Sequence, residues 1–434
     1  MKRIFVLVAV AALVCGCVNK PVGPDDPVPE DEQLQVTFPE PTEQITKVSL
    51  TAAEQGYVDS GNGMAFRFLE KMYDGKNLVL SPLSLQYALA MAANGAQGET
   101  LQEITDFLGY GKDGLAALNA YSKKMLEQLP AVDLNVTLKL TDALLVSDKC
   151  PLLPAYKSTV EQNYYAAVEN MNFSDPDKVA ARINDWASRS TDGFIDKLLD
   201  ASEISPLTVA FLMNALYFKA KWAGSDYDPM FREEGTAAGA FTLADGSKKT
   251  VPFMNNADSH RYAEMDGYKV LALPYAGEKF FMYILLPDDN NLEALVKKLP
   301  GISWRKLISS FKTDAEVFVK LPKFDVQNKF ELNEALQALG VRKAFQENKA
   351  EFGGMFDPAL TAKMDFWIGK VIQKAKISVA EWGTEAAAVT VVEMYGKAAP
   401  APKRVNFYAD HPFVFVIGEA TSGTILFEGT YTGR

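Results

Sequence analysis

The chain has 434 residues, 48% of them hydrophobic, which is enough to bury a substantial core. Its net charge of −11, or −13 without Lys2 and Arg3, argues against a nucleic-acid partner and against an electrostatic contact with a membrane surface. Three cysteines, Cys15, Cys17 and Cys150, supply no disulfide framework.

At the N-terminus Lys2 and Arg3 precede an apolar run from Ile4 to Val14, too short to span a bilayer and of the right size for a signal-peptide core. Leu13-Val14-Cys15-Gly16-Cys17 resembles a bacterial lipoprotein box. Small Gly16 stands before Cys17, whereas bulky Val14 before Cys15 makes that cysteine the weaker candidate. Residues 1–16 therefore read as a signal peptide and Cys17 as a lipidated first residue, with an exported protein held on a bacterial membrane. An ordinary secreted leader is the alternative. Six prolines (21, 24, 27, 29, 39 and 41) lie among Asp25, Asp26, Glu30, Asp31, Glu32, Glu40 and Glu43. Proline stiffness and charge repulsion predict that residues 17–45 form an extended, unpacked tether. No repeat and no second linker follows, so residues 46–434 are taken as one domain.

Gly109-Tyr-Gly-Lys-Asp-Gly114 satisfies Gly-x-Gly-x-x-Gly, but it follows a helix-like run from Leu101 to Leu108, so it is expected to be an interhelical loop and not a phosphate cradle. Helical period appears at Val179, Ile183, Trp186 and Ala187, and again at Leu332, Ala335, Leu336 and Leu339. Strand-like runs occupy 136–147, 209–219, 268–274, 280–286, 315–321 and 412–417, with Asp245-Gly246 and Asp266-Gly267 placed as hairpin turns. Helices gather early and strands late, which predicts an α+β fold with sheets built from distant segments.

Catalytic patterns are missing from the sequence. His260 and His411 are the two histidines, and no Gly-x-Ser-x-Gly elbow presents a serine. Neither His-Glu-x-x-His nor paired Cys-x-x-Cys occurs. No enzyme activity, cofactor or metal is expected.

The segment from Glu381 to Thr390 is written as a strand. With period two, Thr384, Ala386, Ala388, Thr390, Val392 and Met394 share an uncharged face, while Glu385, Ala387, Val389, Val391 and Glu393 share the other. Two prolines and three basic residues between Tyr395 and Arg404 rule out a central strand there. One end can enter a sheet and the other suits an exposed bait.

This segment resembles the hinge and reactive-centre loop of the serpins, the serine protease inhibitor superfamily. Asn77 to Ser84, Asn94 to Ile104, Asn214 to Trp222, His411 to Ile417 and Gly423 to Gly429 resemble further motifs of that family in the same order, over roughly residue 47 to the end. The resemblance implies a fold of three sheets with eight or nine helices and an exposed loop. It implies a monomeric suicide inhibitor whose partner is a protease: after attack on the loop, the severed hinge enters the main sheet before the acyl-enzyme hydrolyses. The hinge would comprise Glu381, Gly383, Thr384, Glu385, Ala386, Ala387 and Ala388, and its small residues are those of inhibitory members. A serpin-fold binding or scaffold protein with a merely cleavable loop is the alternative. By the same resemblance Ser81, Ser84, Asn214 and Gln373 form a polar cluster controlling sheet opening, with Gln373, where animal members generally carry histidine, serving both Ser81 and Asn214. Trp222 marks the upper opening. The family's spacing of sixteen residues from Glu381 places the scissile bond at Lys397-Ala398, with Met394 and Tyr395 as alternatives. A lysine there suits trypsin-like serine proteases or lysine-specific cysteine proteases.

Overall fold

The computed structural model describes residues 7–16, 33–110, 114–205, 207–224, 228–312, 315–381 and 403–434, the first of these by backbone alone. After an extended stretch, α1 (Ala52–Met72) starts at a capping box in which Thr51 and Glu54 satisfy each other's backbone N–H groups. The short strand β2 (Leu78–Leu80) leads into α2 (Pro82–Gly95). The Ser81 side chain caps α2 and Pro82 fits its first turn. Helices α3 (Gly98–Leu108) and α4 (Gly114–Gln128) follow, and Gly109 closes α3 with a left-handed φ of 85°, so the glycine motif is an interhelical connection.

Three sheets carry the rest. The main sheet has the order β12 (Phe324–Glu331), β13 (Lys370–Val379), β1 (Leu7–Gly16), β5 (Thr208–Lys219), β3 (Thr137–Ser147) and β4 (Ala167–Met171). The second runs β2, β16 (Ile425–Tyr431), β15 (Phe413–Glu419), β10 (Phe280–Pro287), β9 (Tyr268–Pro274) and β8 (Arg261–Met265). The third runs β14 (Lys403–Tyr408), β11 (Ala315–Pro322), β7 (Lys248–Ser259) and β6 (Ala237–Thr242). Gly246 and Gly267 take φ values of 81° and 82° in the two expected hairpins, a conformation that costs other residues more. Every strand run read from the sequence is a strand. Leu332 to Leu339 yields only the six-residue α9 (Asn333–Ala338), because Gly340 turns the chain at φ 115°.

Within the main sheet β5 is covered on both faces, whereas β12 and β13 leave part of one face open. Alternate residues Phe211, Met213, Ala215 and Tyr217 of β5 pack with Val179, Ile183, Trp186 and Ala187 of α6 (Pro176–Ser190). Leu212, Leu216 and Phe218 belong to the larger core, which includes α2. At roughly 25 cal/mol per Å², these two layers supply the main stabilisation of the domain.

The lower part of the tether is corrected. Residues 34–45 are extended but packed: Leu34 is buried in the α6 cluster, and its carbonyl accepts from Arg189 Nη2 at 2.6 Å. Thr37 Oγ1 donates to the Tyr165 carbonyl at 2.5 Å and the Ile45 N–H to that of Ala131 at 2.9 Å. Leu34, Val36 and Ile45 are the apolar footholds that an average over prolines and acids conceals.

A second finding concerns the leader. Residues 7–16 form the strand β1 in the centre of the main sheet, antiparallel to both neighbours.

Candidate functional site in the main sheet

Two polar clusters mark the gap between β5 and β13, one at its middle and one at its upper end. At the middle, the N-terminus of α2 reaches the sheet. Gln373 of β13 takes the backbone of Ser81 in both directions: Oε1 accepts from the Ser81 N–H at 3.2 Å and Nε2 donates to the Ser81 carbonyl at 2.8 Å. Ser81 Oγ donates to the Leu426 carbonyl at 2.9 Å. Ser84 Oγ instead donates to Asn214 Oδ1 at 2.5 Å, and Asn214 Nδ2 donates to Asp142 Oδ1 at 3.0 Å.

The expected single cluster is therefore two. Gln373 serves Ser81 and not Asn214, because Asn214 and Gln373 both lie opposite Ala11 of the intervening β1. Two strand spacings, about 10 Å, separate their backbones. Ser81 and Ser84, three residues apart on the same helix start, hold one half each.

Asp142 was not singled out from the sequence, although an acid within the apolar run 136–147 is a signal. It is fully buried on β3, directly opposite Asn214, and its Oδ2 has no partner, as is true of the buried Tyr87 hydroxyl. Burial pushes the Asp142 carboxyl up to about 8, the Asn214 hydrogen bond lowering it only in part. In the unfolded chain the group ionises near its ordinary value of 3.8. The folded state therefore holds the proton more tightly, and stability falls as pH rises between about 4 and about 8. Asp142→Asn, which keeps the shape and the acceptor for Asn214, is expected to flatten that part of the profile, read as denaturation midpoints of parent and variant across the range. Equal slopes in the two proteins would place the proton elsewhere. Gln373 removes any histidine-linked response from this cluster, and Asp142 supplies a different titrating group.

At the upper end, β13 runs into Glu381, whose side chain is only 3% exposed. Its Oε2 pairs with Lys323 Nζ at 2.6 Å and its Oε1 accepts from Thr236 Oγ1 at 2.6 Å. Burial alone would raise this carboxyl, but the Lys323 and Thr236 hydrogen bonds outweigh it and hold the group below its usual range. Beside it the Trp222 indole donates to the Ala380 carbonyl at 3.1 Å. Trp222 stacks on Tyr275 at 4.7 Å and meets Phe231 edge-on at 5.7 Å. Trp222 thus packs beside the end of β13 that leads into Glu381. Lys323 and Thr236 come from distant segments and carry no sequence signal.

Lys323→Ala would leave the Glu381 carboxylate buried with the Thr236 hydroxyl and its own backbone N–H as partners but without a countercharge from Lys323. The expected cost is about 1–3 kcal/mol, discounted because Lys323 is 36% exposed. Glu381→Gln, which can still accept from Thr236, should cost less. Because the Glu381 carboxyl is depressed, its contribution is present above the unfolded value and lost as pH falls through the folded one. Denaturation midpoints at neutral and acid pH check both; a Lys323→Ala protein as stable as the parent at neutral pH would sink the pairing.

Gly383, Thr384, Glu385, Ala386, Ala387, Ala388, Met394, Tyr395, Lys397 and Ala398 lie outside the described residues, as does Cys17. His260 is buried and its Nε2 donates to Asn256 Oδ1 over 2.5 Å, and burial lowers its pKa. His411 Nε2 lies 2.7 Å from the Pro287 carbonyl and Nδ1 lies 3.1 Å from Asp410. Neither belongs to the two clusters.

The family profile described as "Serpin (serine protease inhibitor)" matches residues 59–433. Serpin B8 of Homo sapiens is 33% identical over 372 residues, covering 85% of this chain and 96% of that protein. A serpin-like protein of Methanosarcina acetivorans is 32% identical over 357 residues, covering 82% and 81%. Among solved structures, the thermophilic serpin tengpin in its native state superposes with a TM-score of 0.76 at 26% identity, covering 92% of this chain and 98% of that one. Arabidopsis AtSerpin1 in its native stressed conformation gives 0.73 at 27%, covering 88% and 99%.

Proposed function

Since the chain belongs to the serpin family, we propose that it is a suicide inhibitor of trypsin-like serine proteases, with lysine-specific cysteine proteases as a second target class. The observation that carries this reading is the position between β5 and β13, where the main sheet takes up an added antiparallel strand of ten residues. That position starts near the end of β13 that leads to Glu381. A segment joined at Glu381 and turning back along β13 would run in the same direction as β1 and meet the same backbone edges. The protease supplies the chemistry: its nucleophile opens the loop bond and remains acylated. Insertion of the hinge then competes with hydrolysis of that ester.

The test is incubation of the mature protein with trypsin, chymotrypsin, elastase and a papain-like protease. Denaturing electrophoresis and the mass of the released C-terminal peptide are the readouts. A denaturant-resistant complex with trypsin and a peptide beginning at Ala398 are expected. Cleavage by all four without any complex would replace this reading by the scaffold alternative.

We further propose that the mature chain starts at a lipidated Cys17 and is held on a membrane of a bacterial cell. Supporting this are Lys2 and Arg3 ahead of the apolar run from Ile4 to Val14, Gly16 before Cys17 and the prolines that follow. Cys17→Ser is expected to leave the protein unprocessed or move it from the membrane fraction to the soluble one. A parent protein found soluble with residue 17 unmodified would remove the anchor and leave the inhibitor reading intact.

A further inference from the structure

The leader and the hinge need the same place. β1 pairs with β13 from Val8 opposite Lys376 to Val14 opposite Lys370. It pairs with β5 from Leu7 opposite Phe218 to Cys15 opposite Ala210, with Gly16 shifted by a bulge to Thr208. Each backbone N–H and C=O that β5 and β13 turn toward the gap along this length is committed to β1 or flanks such a bond. A second strand cannot share those groups, so occupancy by residues 7–16 excludes any other segment. The sequence of the occupant suits the position: Leu-Val-Ala-Val-Ala-Ala-Leu-Val-Cys-Gly is uncharged throughout, whereas the hinge stretch from Glu381 to Glu393 carries three acids. On the β5 side the position is covered on both faces, which favours an uncharged strand.

We propose that residues 7–16, whenever they are still attached as the domain folds, plug the insertion position and lock the chain in a form that cannot act. A chain that folds before its leader is removed is filled at the centre of its main sheet. One that loses the leader before folding keeps the position open for the hinge. Severing the chain at Gly16 after folding would not by itself eject the strand, since its ladder on both sides stays intact. The order of processing and folding, and not processing alone, therefore sets whether the molecule is armed. The consequence for inhibition rests on the function proposed above; the plugging itself does not.

Three folded proteins test this: the full chain 1–434 with its leader intact, the same full chain carrying Ala11→Asp, and the mature chain 17–434. Ala11 is the register position opposite both Asn214 and Gln373, where a carboxylate is strongly disfavoured. Readouts are amide hydrogen exchange over residues 7–16, the melting temperature before and after cleavage of the loop, and complex formation with trypsin. In the full chain, protected amides, a high melting temperature unchanged by loop cleavage and loss of trypsin complex are expected. The Ala11→Asp and mature proteins should melt lower, gain heat resistance on loop cleavage and form complex, and Ala11→Asp should exchange freely over residues 7–16. Unprotected leader amides in the full chain, or equal melting behaviour in all three, would overturn the plug. If the melting differences appear and no protein traps trypsin, the plug stands and the inhibitor reading fails.

Discussion

Thr384→Arg is expected to convert the mature protein from an inhibitor into a substrate. In the period-two reading, Thr384 lies on the face that enters the sheet, and the sheet interior has little means to solvate an ion. An unpaired guanidinium there costs at least about 3 kcal/mol, and at about 1.4 kcal/mol per factor of ten this slows insertion roughly a hundredfold. The bait itself is unchanged. Trypsin should cut the same bond, release the same peptide and leave no denaturant-resistant complex, with little gain in heat resistance afterwards. Glu385→Arg, one residue away on the opposite face, should trap protease nearly as well as the parent. Equal trapping by both variants would mean that insertion does not time the reaction.

The second large effect concerns Lys397. A lysine that enters an acidic specificity pocket is a desolvated charge pair, and truncating one partner of such a pair costs about 2–5 kcal/mol. Lys397→Ala should therefore lower the association rate with trypsin by roughly 30-fold to several thousand-fold. Elastase, which prefers small side chains, should lose little or improve. The mass of the C-terminal peptide keeps this test independent of the rate: a parent peptide beginning at Tyr395 or Gly396 would put the scissile bond after Met394 or Tyr395 and make Lys397 a bystander.

Periodicity carried most of the fold. The run 209–219 is apolar at successive positions because β5 is covered on both faces, and its one polar interruption, Asn214, is the residue that reaches Ser84. Val179, Ile183, Trp186 and Ala187 recur at helical spacing because α6 lies flat on the sheet. Pairing across the chain was less legible. Lys323 and Thr236 become partners of Glu381 only when β11, β12 and the segment before β6 converge, and a single polar residue at a strand end looks the same with or without such a partner. The division of Ser81 from Asn214 depends on which strand lies between β5 and β13, a question of occupancy that no local pattern encodes. The leader shows the same limit. Its apolar run satisfies the requirements of a signal core and of a central strand equally, since both ask for uncharged residues over about ten positions.

The contact between Arg189 and Leu34 would give the anchor proposed at Cys17 a mechanical meaning. A protein moored at Cys17 would take any pull from its surroundings along the chain, and Leu34, after the first four prolines, is the first buried position among the described residues of the strap. The load passes through the Arg189 guanidinium into α6, the helix lying across β5, and is then shared with Tyr165 and Ala131 farther along the strap. If the proposed anchor and inhibitory role hold, a pull from a bound protease would reach the domain through this strap before it reached the strands of the sheet.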